Sequence, residues 1–599
     1  MIARQLDASY SAPGAARLRL LAVVWAVLAL FAAALLPVDF ASDRLHAAKP
    51  ALVAPPRSRF SDADVVRLAE LIDRYVTQRW KQAGVAPAPE ASDAEFVRRA
   101  YLDAIGRIPH VAEVRTFFES RRPNKRFELV RELSATKARF VAHWASVWRA
   151  AMLPETDGDY QLSYYRPGFE AWLRKQLLED EPYDHWVREL ITYTPSTESN
   201  PYGQLLFFGQ TGGASPAAFY QAKEFKPENL AAAVSRVFLG TRIECAQCHR
   251  HPFADWDRPD FWGLAAFFQG TDQASPQRGG VRGVIEELFT FPEIEIPGTG
   301  KVVPARFLDG QKPRLAGRAT YRVTLAQWMT APENPFLAKA TVNRLWAHFF
   351  GTGMVDPPDD FAKGNPASHP ELLDALGREF VEHDFDLKFI IRGIMSSRTY
   401  QLSSRTVKER SHGRQTVDAR SSENTATHDA PSSETSAAPQ LFARAAVRGL
   451  TGEQLYDSIA TATGYRDESG GAVNPFFFGL DGSPRQAFLS KFKTGSENPT
   501  ERQTSIVQAL TLMNGEVVAS ATSLETSELL AGVINYPLFS DADRLETLFL
   551  AALSRPPTPR ELATFAAYVR GGGPEKNSTA ALADVFWALL NSSEFASNH

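Results

Sequence analysis

The segment SDADVVRLAELIDRYV (residues 61–76) decides the fold class. Ser61 is a residue type that caps helix N-termini, and Val65, Leu68 and Ile72 follow it at the spacing of one helix face. The pattern predicts an amphipathic helix with one apolar stripe. Similar signals recur along most of the chain, so we expect a mainly α fold.

The composition is that of a large globular protein. The chain has 599 residues, of which 44% are hydrophobic and 22% are charged. At roughly 150 residues per domain this length suggests about three or four domains, and the apolar content excludes disorder throughout the chain. The 65 basic and 69 acidic residues give a formal net charge of -4. This balance gives no support for nucleic-acid binding, which needs a basic face.

Helix signals and helix breakers divide the chain into segments. Helical periodicity runs through 61–280 and 319–402 and returns in 439–599, whereas 281–318 has short apolar runs between Gly and Pro and is predicted as strands and loops. Residues 403–438 contain almost no large apolar side chains. They cannot offset their own ordering entropy, so we expect a disordered insert. The result is a multi-domain helical protein with a small β or irregular insertion.

The N-terminus has the features of an export segment. Arg17 and Arg19 precede an uncharged run at 20–38, which forms roughly 28 Å of helix against a hydrocarbon core of about 30 Å. The pattern predicts a cytoplasmic tail at 1–19, a transmembrane anchor at 20–38 and a linker at 39–60. We therefore expect a single-pass protein of the inner (cytoplasmic) membrane with its bulk in the periplasm or cell exterior. A cleaved signal peptide is the alternative, and it would also export the chain.

The two cysteines are the most informative residues. Cys245, Cys248 and His249 form the C-x-x-C-H pattern of c-type haem attachment. Two thiols one helical turn apart can each form a thioether with a haem vinyl group, and the adjacent imidazole can ligate the iron. The leading hypothesis is haem c with His249 as the proximal ligand. The aromatic residues that follow could wall a porphyrin or form a helical core: Trp256, Phe261, Trp262, Phe267 and Phe268.

The same residues allow two other interpretations. Cys245 and Cys248 could form a short disulfide, either structural or redox-active. Alternatively, zinc accepts two sulfurs and two nitrogens in a tetrahedron, although its ligand pairs normally come from separate chain segments. The zinc ligands would then be Cys245, Cys248, His249 and His251.

A second polar constellation lies between residues 343 and 369. Asp356, Asp359 and Asp360 could bind a hard cation such as calcium, or act as acid and base, together with His369. The competing interpretation is structural, because aspartates beside Pro and Gly commonly serve turns and caps. His369 itself lies in a predicted capping turn. This constellation is the secondary site hypothesis.

Several longer motifs resemble a known two-domain family. The strings RRAYLDAIGRIP (98–109), LGTRIECAQCHRHPFADW (239–256) and FWGLAAFF (261–268) resemble the planctomycete cytochrome-associated domain of unknown function fifteen-forty-nine. The strings PENPFLAKATVNRLWAHFFGTGMVDPPDDF (332–361) and NPASHPELLDALGREFVEHDFDLKFIIRGIMSSRTYQLS (365–403) resemble its usual companion, domain of unknown function fifteen-fifty-three. The resemblance assigns 61–280 to the first domain and 319–402 with 439–599 to the two parts of its companion.

The resemblance also assigns residues to motifs, although neither domain has a known activity. The C-x-x-C-H-x-H-P motif of the first domain contains Cys245, Cys248, His249 and His251. The central motif of the companion domain contains Asp356, Asp359, Asp360 and His369. Members of the family often begin with a separate cytochrome c-like domain that has its own C-x-x-C-H. This chain contains one such motif, so we expect that haem domain to be absent.

Together these features predict a membrane-anchored, extracytoplasmic protein that binds c-type haem and serves electron transfer or a redox step with a redox partner. One alternative is a metal-dependent enzyme, using zinc or calcium, that acts on a cell-surface polymer. The other is a surface scaffold with a structural cysteine pair.

Overall fold

Most of the described secondary structure is helical, as the apolar spacing predicts. The protein is represented by a computed structural model, which describes residues 60–135, 137–158, 165–194, 214–271, 292–314, 320–405, 439–466, 484–492 and 506–599. The predicted N-terminal segments at 1–19, 20–38 and 39–59 lie outside these residues, as does the predicted insert beyond 405.

The first part of the chain is a succession of helices. They are α1 (Asp62–Ala83), α2 (Asp93–Ile105), α3 (Val111–Glu119), α4 (Lys125–Ala135), α5 (Lys137–Met152), α6 (Glu155–Gly158), α7 (Arg166–Leu178), α8 (Tyr183–Thr192), α9 (Ala217–Ala222), α10 (Pro227–Phe238) and α11 (Arg258–Ala265). Two 3₁₀ helices, Glu244–Gln247 and Ala266–Phe268, flank α11.

Two short strands interrupt the helices within the segment predicted as strands and loops. Strand β1 (Glu293–Ile296) pairs antiparallel with β2 (Lys301–Pro304), so that Ile296 lies opposite Lys301. The predicted strand at Val281–Ile285 lies outside the described residues. The helices that follow are α12 (Tyr321–Met329), α13 (Leu337–Phe350), α14 (Pro370–Glu382) and α15 (Leu387–Ser396).

The last part is again helical and ends in a small sheet. After β3 (Arg448–Gly449) come α16 (Gly452–Thr463), α17 (Pro484–Lys491), α18 (Ile506–Asn514), α19 (Glu516–Ala521), α20 (Glu528–Asn535), α21 (Asp541–Leu553), α22 (Pro559–Gly571) and α23 (Ser578–Leu590). Strand β4 (Ser597–Asn598) then pairs antiparallel with β3.

Helix α1 forms for the reasons visible in its sequence. Ser61 and Asp64 make a reciprocal capping box, and Gly84 ends the helix in the left-handed conformation with φ +65°. The stripe that includes Leu68 is buried, and it packs against α15. A Cβ atom on Gly393 of α15 would lie 2.3 Å from Leu68 Cδ2, so glycine is needed for this close approach.

The described helices build two apolar cores. One extends from α1 through α15 to Ala443, and the other is formed by α16–α23. Leu102 of α2 and Ile108 belong to the second core, although they precede it by more than three hundred positions in the chain. Residues Arg59–His599 accordingly form one compact unit.

The predicted fold class needs one correction. The mainly α content is confirmed, but across the described ranges between 60 and 599 no helix is both long and apolar enough to cross a membrane. The longest of them, α1, has 22 residues, and its buried stripe alternates with charged positions such as Asp64 and Arg67. Its apolar surface therefore packs on the protein core and cannot face lipid on all sides.

Candidate functional site

Cys245, Cys248 and His249 lie on one exposed helical turn, which we call the Cys–His turn (residues 244–249). The backbone N–H groups of Cys248 and His249 both donate to the Cys245 carbonyl oxygen, each at 3.4 Å. Ala246 is buried and anchors the turn, whereas the side chains of Cys245, Cys248 and His249 are exposed. Both cysteines are free thiols. The turn therefore presents two thiols and one imidazole to solvent.

The imidazole of His249 is held by a backbone carbonyl. Its Nδ1 atom lies 2.7 Å from the Arg250 carbonyl oxygen. A carbonyl oxygen can only accept, so Nδ1 carries the proton and Nε2 has a free lone pair in the neutral ring. Metal-binding histidines use this arrangement, because the second hydrogen bond selects the tautomer and orients the ring.

The second histidine of the motif has a different role. The His251 N–H donates to the Trp256 carbonyl oxygen at 2.8 Å, and its Nδ1 accepts from the Phe253 N–H at 3.2 Å. His251 thus closes the loop that follows the Cys–His turn. The Phe253 side chain lies at the tip of that loop and is 83% exposed.

The aromatic residues after the motif support the turn from below. Phe261, Trp262, Phe267 and Phe268 are all buried, so they form a helical core and do not wall an open cavity. Trp262 Nε1 donates to the Gln247 carbonyl oxygen at 3.0 Å. This bond fixes the end of the 3₁₀ helix to α11.

The aspartate loop (residues 356–363) contacts the chain just before the Cys–His turn. Asp359 is buried, and its Oδ1 accepts from Arg242 Nε at 2.8 Å and Arg242 Nη2 at 2.7 Å. Arg236 of α10 lies 3.7 Å from its second oxygen. Burial raises the pKa of Glu244, which lies near both guanidinium groups and Asp359. Asp359 therefore compensates arginine charge at the base of the turn.

Asn343 of α13 holds the aspartate loop in place. This buried side chain donates from Nδ2 to the carbonyl oxygens of Val355 (2.9 Å) and Pro358 (3.3 Å), and its Oδ1 accepts from the Val355 N–H at 3.1 Å. Asn365 adds bonds to the carbonyl oxygens of Asp356 and Asp360. The loop is thus a hydrogen-bonded structural element.

His369 is buried in a separate place, at the start of α14. Its Nδ1 lies 3.0 Å from Ser368 Oγ, and its ring lies 5.2 Å from that of Phe442. Burial and the positive charge of Arg79 lower the pKa of His369 to about 4. The ring is therefore neutral near pH 7 and packs as part of the core.

The contacts of these residues fit the structural interpretation of the secondary site. Within the part of the chain that the structure describes, no three His, Cys, Asp or Glu side chains group so as to hold a metal ion. Asp359 is engaged by arginine, and His369 is buried against Phe442. The structural interpretation of these residues, as turn and core residues, accounts for their contacts.

A buried network around Asp103 was missed by the sequence analysis. The Asp103 carboxylate is 1% exposed and accepts from Arg448 Nη2 at 2.8 and 2.9 Å, from Tyr400 Oη at 2.8 Å and from Asn598 Nδ2 at 2.7 Å. The signal for it was the spacing of Glu95, Arg99 and Asp103, which lie four positions apart on one face of α2, a helix that is buried from Glu95 to Ile105. A helix of that kind is buried all round, so the charges within it must be paired.

Two histidines complete this network. The Nε2 atoms of His143 and His348 lie 3.1 and 3.2 Å from the Asp103 carbonyl oxygen, to which both must donate. Burial, with the nearby His348, lowers the pKa of His143 to about 3. Gly106 has φ +73°, and a Cβ atom there would lie 2.5 Å from His143 Nδ1. Both histidines are therefore part of the packed structure around Asp103.

Two family matches cover most of this architecture. Residues 71–273 match PSCyt2, described as a protein of unknown function (DUF1549), and residues 321–569 match PSD1, described as a protein of unknown function (DUF1553). The chain belongs to the DUF1549–DUF1553 family. The order of the two domains is the order that the sequence motifs predict, and a separate N-terminal cytochrome domain is not detected. Comparisons with curated proteins and with solved structures find no match.

The matches place the site at a contact between the two family regions. The Cys–His turn belongs to the DUF1549 region and the aspartate loop to the DUF1553 region. The Arg242–Asp359 ion pair connects the two. The Asp103 network connects them as well, because Asp103 lies in the first region and Arg448 in the second.

Proposed function

We propose that this DUF1549–DUF1553 protein binds haem covalently through Cys245 and Cys248, with His249 as the axial ligand, and serves one-electron transfer outside the cytoplasm. A small redox protein or another one-electron carrier would be its partner. The charged and apolar pattern of the N-terminal sequence supports the extracytoplasmic location, because it is typical of export segments.

The observation that carries the proposal is the contact of His249 Nδ1 with a backbone carbonyl oxygen, which sets the tautomer of the ring. Its Nδ1–H donates to the Arg250 carbonyl oxygen at 2.7 Å, which leaves the Nε2 lone pair on an exposed ring edge. Iron ligation needs that lone pair and benefits from a hydrogen bond on the other nitrogen.

The two thiols fit the attachment chemistry. Cys245 and Cys248 are exposed, and one hydrogen-bonded turn separates them. Each thiol would add across one vinyl group, so its proton and sulfur end on the two carbons of that group and no external oxidant is needed. When bound, haem supplies the Fe(III)/Fe(II) couple that the side chains of this chain lack. The protein's own contribution is to hold the thiols and the imidazole on one face.

The contacts favour haem over the other interpretations. A zinc site built from the same motif would need His251, whose Nδ1 already accepts from the Phe253 N–H. A catalytic metal at the aspartate loop would need Asp359, whose carboxylate is engaged by Arg242. Haem attachment needs neither residue, and it uses the three side chains that are exposed together.

Covalent attachment can be tested directly. The chain would be expressed in a host that has extracytoplasmic haem-attachment machinery, then denatured and separated on a gel that is stained for haem. We expect a stained band and an intact mass raised by one haem, because thioether bonds survive unfolding. The double variant Cys245→Ser/Cys248→Ser should lose both signals.

Two histidine variants sharpen the test. His249→Ala should retain covalent haem but change the absorption spectrum, since it removes an iron ligand and leaves both thioethers. His251→Ala is the matched control, with the same substitution two positions away, and should retain both the stain and the spectrum. Two unmodified cysteines, or a disulfide, in protein from the competent host would contradict the proposal, and a mass raised by one zinc ion would replace it.

A further inference from the structure

We infer that Asp359 is a positioning residue for the Cys–His turn and acts on it through Arg242. The inference rests on the proposed haem attachment, which gives the fixed turn its purpose. It assigns a role to the aspartate loop of the DUF1553 region: the loop supports a site whose chemistry lies entirely in the DUF1549 region.

The aspartate loop contacts the chain immediately before the Cys–His turn. Arg242 is bound through two nitrogens by Asp359, and the Phe361 N–H donates to the Gly240 carbonyl oxygen at 2.9 Å. Gly240 has φ +63°, and a Cβ atom there would lie 2.7 Å from Phe361 Cδ2. Positions 240 and 242 are thus held against the aspartate loop by one backbone hydrogen bond with a close aromatic neighbour and by one ion pair, respectively.

The same loop also reaches the chain after the turn. Lys363 forms an ion pair with Asp255, which lies within the loop that His251 closes. Both side chains of this pair are exposed, so we expect it to be weaker than the Asp359–Arg242 pair, in which the carboxylate is buried and the Arg242 side chain is 38% exposed. The aspartate loop therefore contacts the chain on both sides of Cys245, Cys248 and His249.

The connection from Arg242 to the thiols is short. Ile243 is buried, and its carbonyl oxygen accepts from the Ala246 N–H at 2.9 Å. The next bonds are those of Cys248 and His249 to the Cys245 carbonyl oxygen. Fixing Arg242 thus fixes the start of the 3₁₀ helix, and the helix fixes the spacing of the thiols. Without the Asp359 charge, Arg236 and Arg242 would repel each other at its base.

The neighbouring carboxylate provides a matched control. Asp360 differs from Asp359 in its side chain, which has no ion pair or hydrogen bond to the described residues. Asp359→Asn and Asp360→Asn therefore make the same chemical change one position apart, and only the first removes the charge that faces Arg242. Arg242→Met removes the same pair from the other side and keeps Asp359.

Amide hydrogen exchange of the protein without haem measures directly how well the Cys–His turn is ordered. In Asp359→Asn we expect exchange in the peptide that contains residues 244–249 to rise about tenfold, with peptides from α2 and α21 unchanged. Arg242→Met should give the same rise, and the double variant should exceed neither single variant, because the two substitutions remove one interaction. Asp360→Asn should match the parent.

The fraction of protein that carries covalent haem is the second measurement. At equal protein levels we expect Asp359→Asn to lower the haem-stained fraction about threefold or more, and Asp359→Glu to recover part of it because the charge is restored. Unchanged exchange in the turn would overturn the inference, and so would a rise throughout the protein, since Asp359 would then serve the whole fold. Absence of haem in the parent protein would remove the proposed function while the exchange result still decides whether Asp359 orders the turn.

Discussion

Two buried aspartates connect the DUF1549 and DUF1553 regions, and their surroundings differ. Asp103 is enclosed by Tyr400, Arg448 and Asn598, all of which are buried. Asp359 is also buried, but its partner Arg242 lies only three positions before the exposed Cys245. The chemistry of the two ion pairs is the same. What each pair supports decides whether it contributes to the stability of the fold or to the shape of a reactive surface.

The largest effect should come from Asp103. Asp103→Asn keeps the side-chain volume but leaves the buried Arg448 guanidinium without its counter-charge. Removing one partner of a buried pair typically costs about 3–5 kcal/mol, so we expect the free energy of unfolding to fall by about that amount. Urea unfolding followed by circular dichroism measures it.

A surface pair gives the control for that measurement. Lys339 and Asp374 form an ion pair with both side chains more than a third exposed. Asp374→Asn should change the free energy of unfolding by less than about 1 kcal/mol. If Asp103→Asn costs no more than Asp374→Asn, the Asp103 network contributes no special stability and the comparison between the two aspartates fails.

An intermediate effect is expected where the aspartate loop is fixed to α13. Asn343→Ala leaves the buried N–H and carbonyl oxygen of Val355 without partners, at a cost of about 1–3 kcal/mol. Asn365→Ala should cost less, because Asn365 is only partly buried and water can replace its amide. Thermal unfolding of the two variants, measured side by side, tests this. Equal losses of unfolding free energy in the two variants would contradict the prediction.

Acid should destabilise the folded protein through the buried His369. The pKa of His369 is about 4 in the folded protein because of burial and Arg79, against an ordinary value of about 6.5. Between these two values the unfolded chain binds more protons at this residue than the folded chain does. Stability is therefore complete above about pH 6.5 and is lost as the pH falls towards 4.

The variant His369→Asn removes this proton uptake and places a neutral capping residue before α14. Below pH 6.5 the parent should lose up to about 1.4 kcal/mol more per pH unit than the variant does. Urea unfolding between pH 7 and pH 5 measures the difference. Parallel curves for the parent and His369→Asn would contradict the prediction.

Local sequence was enough for the elements and for the Cys–His motif. The spacing of apolar residues and the cap at Ser61 predict a helix because both signals act within one or two turns. Cys245, Cys248 and His249 are recognisable for the same reason. Of the two interpretations that the sequence left open for Phe267 and Phe268, the helical core agrees with their burial.

Contacts between distant segments were beyond that reasoning. Arg448 lies 345 positions from Asp103, and Arg242 lies 117 positions from Asp359. Without knowledge of the pairing, aspartates beside prolines resemble cation ligands as much as ion-pair partners. The sequence alone therefore left both a cation site and a structural role open at the aspartate loop, where the folded chain pairs Asp359 with Arg242.

The smallest effect on stability is expected at the most reactive residues. Cys245→Ser/Cys248→Ser changes two exposed side chains, while the backbone bonds to the Cys245 carbonyl oxygen and the buried Ala246 remain. We expect the free energy of unfolding of the protein without haem to change by less than about 0.5 kcal/mol, the usual range for surface substitutions. A loss comparable to that of Asp103→Asn would mean that the thiols serve the fold. A small loss of stability, together with the disappearance of covalent haem, would assign the Cys–His turn to chemistry and the Asp103 network to stability. The protein would then tolerate substitution of the two cysteines but not of Asp103.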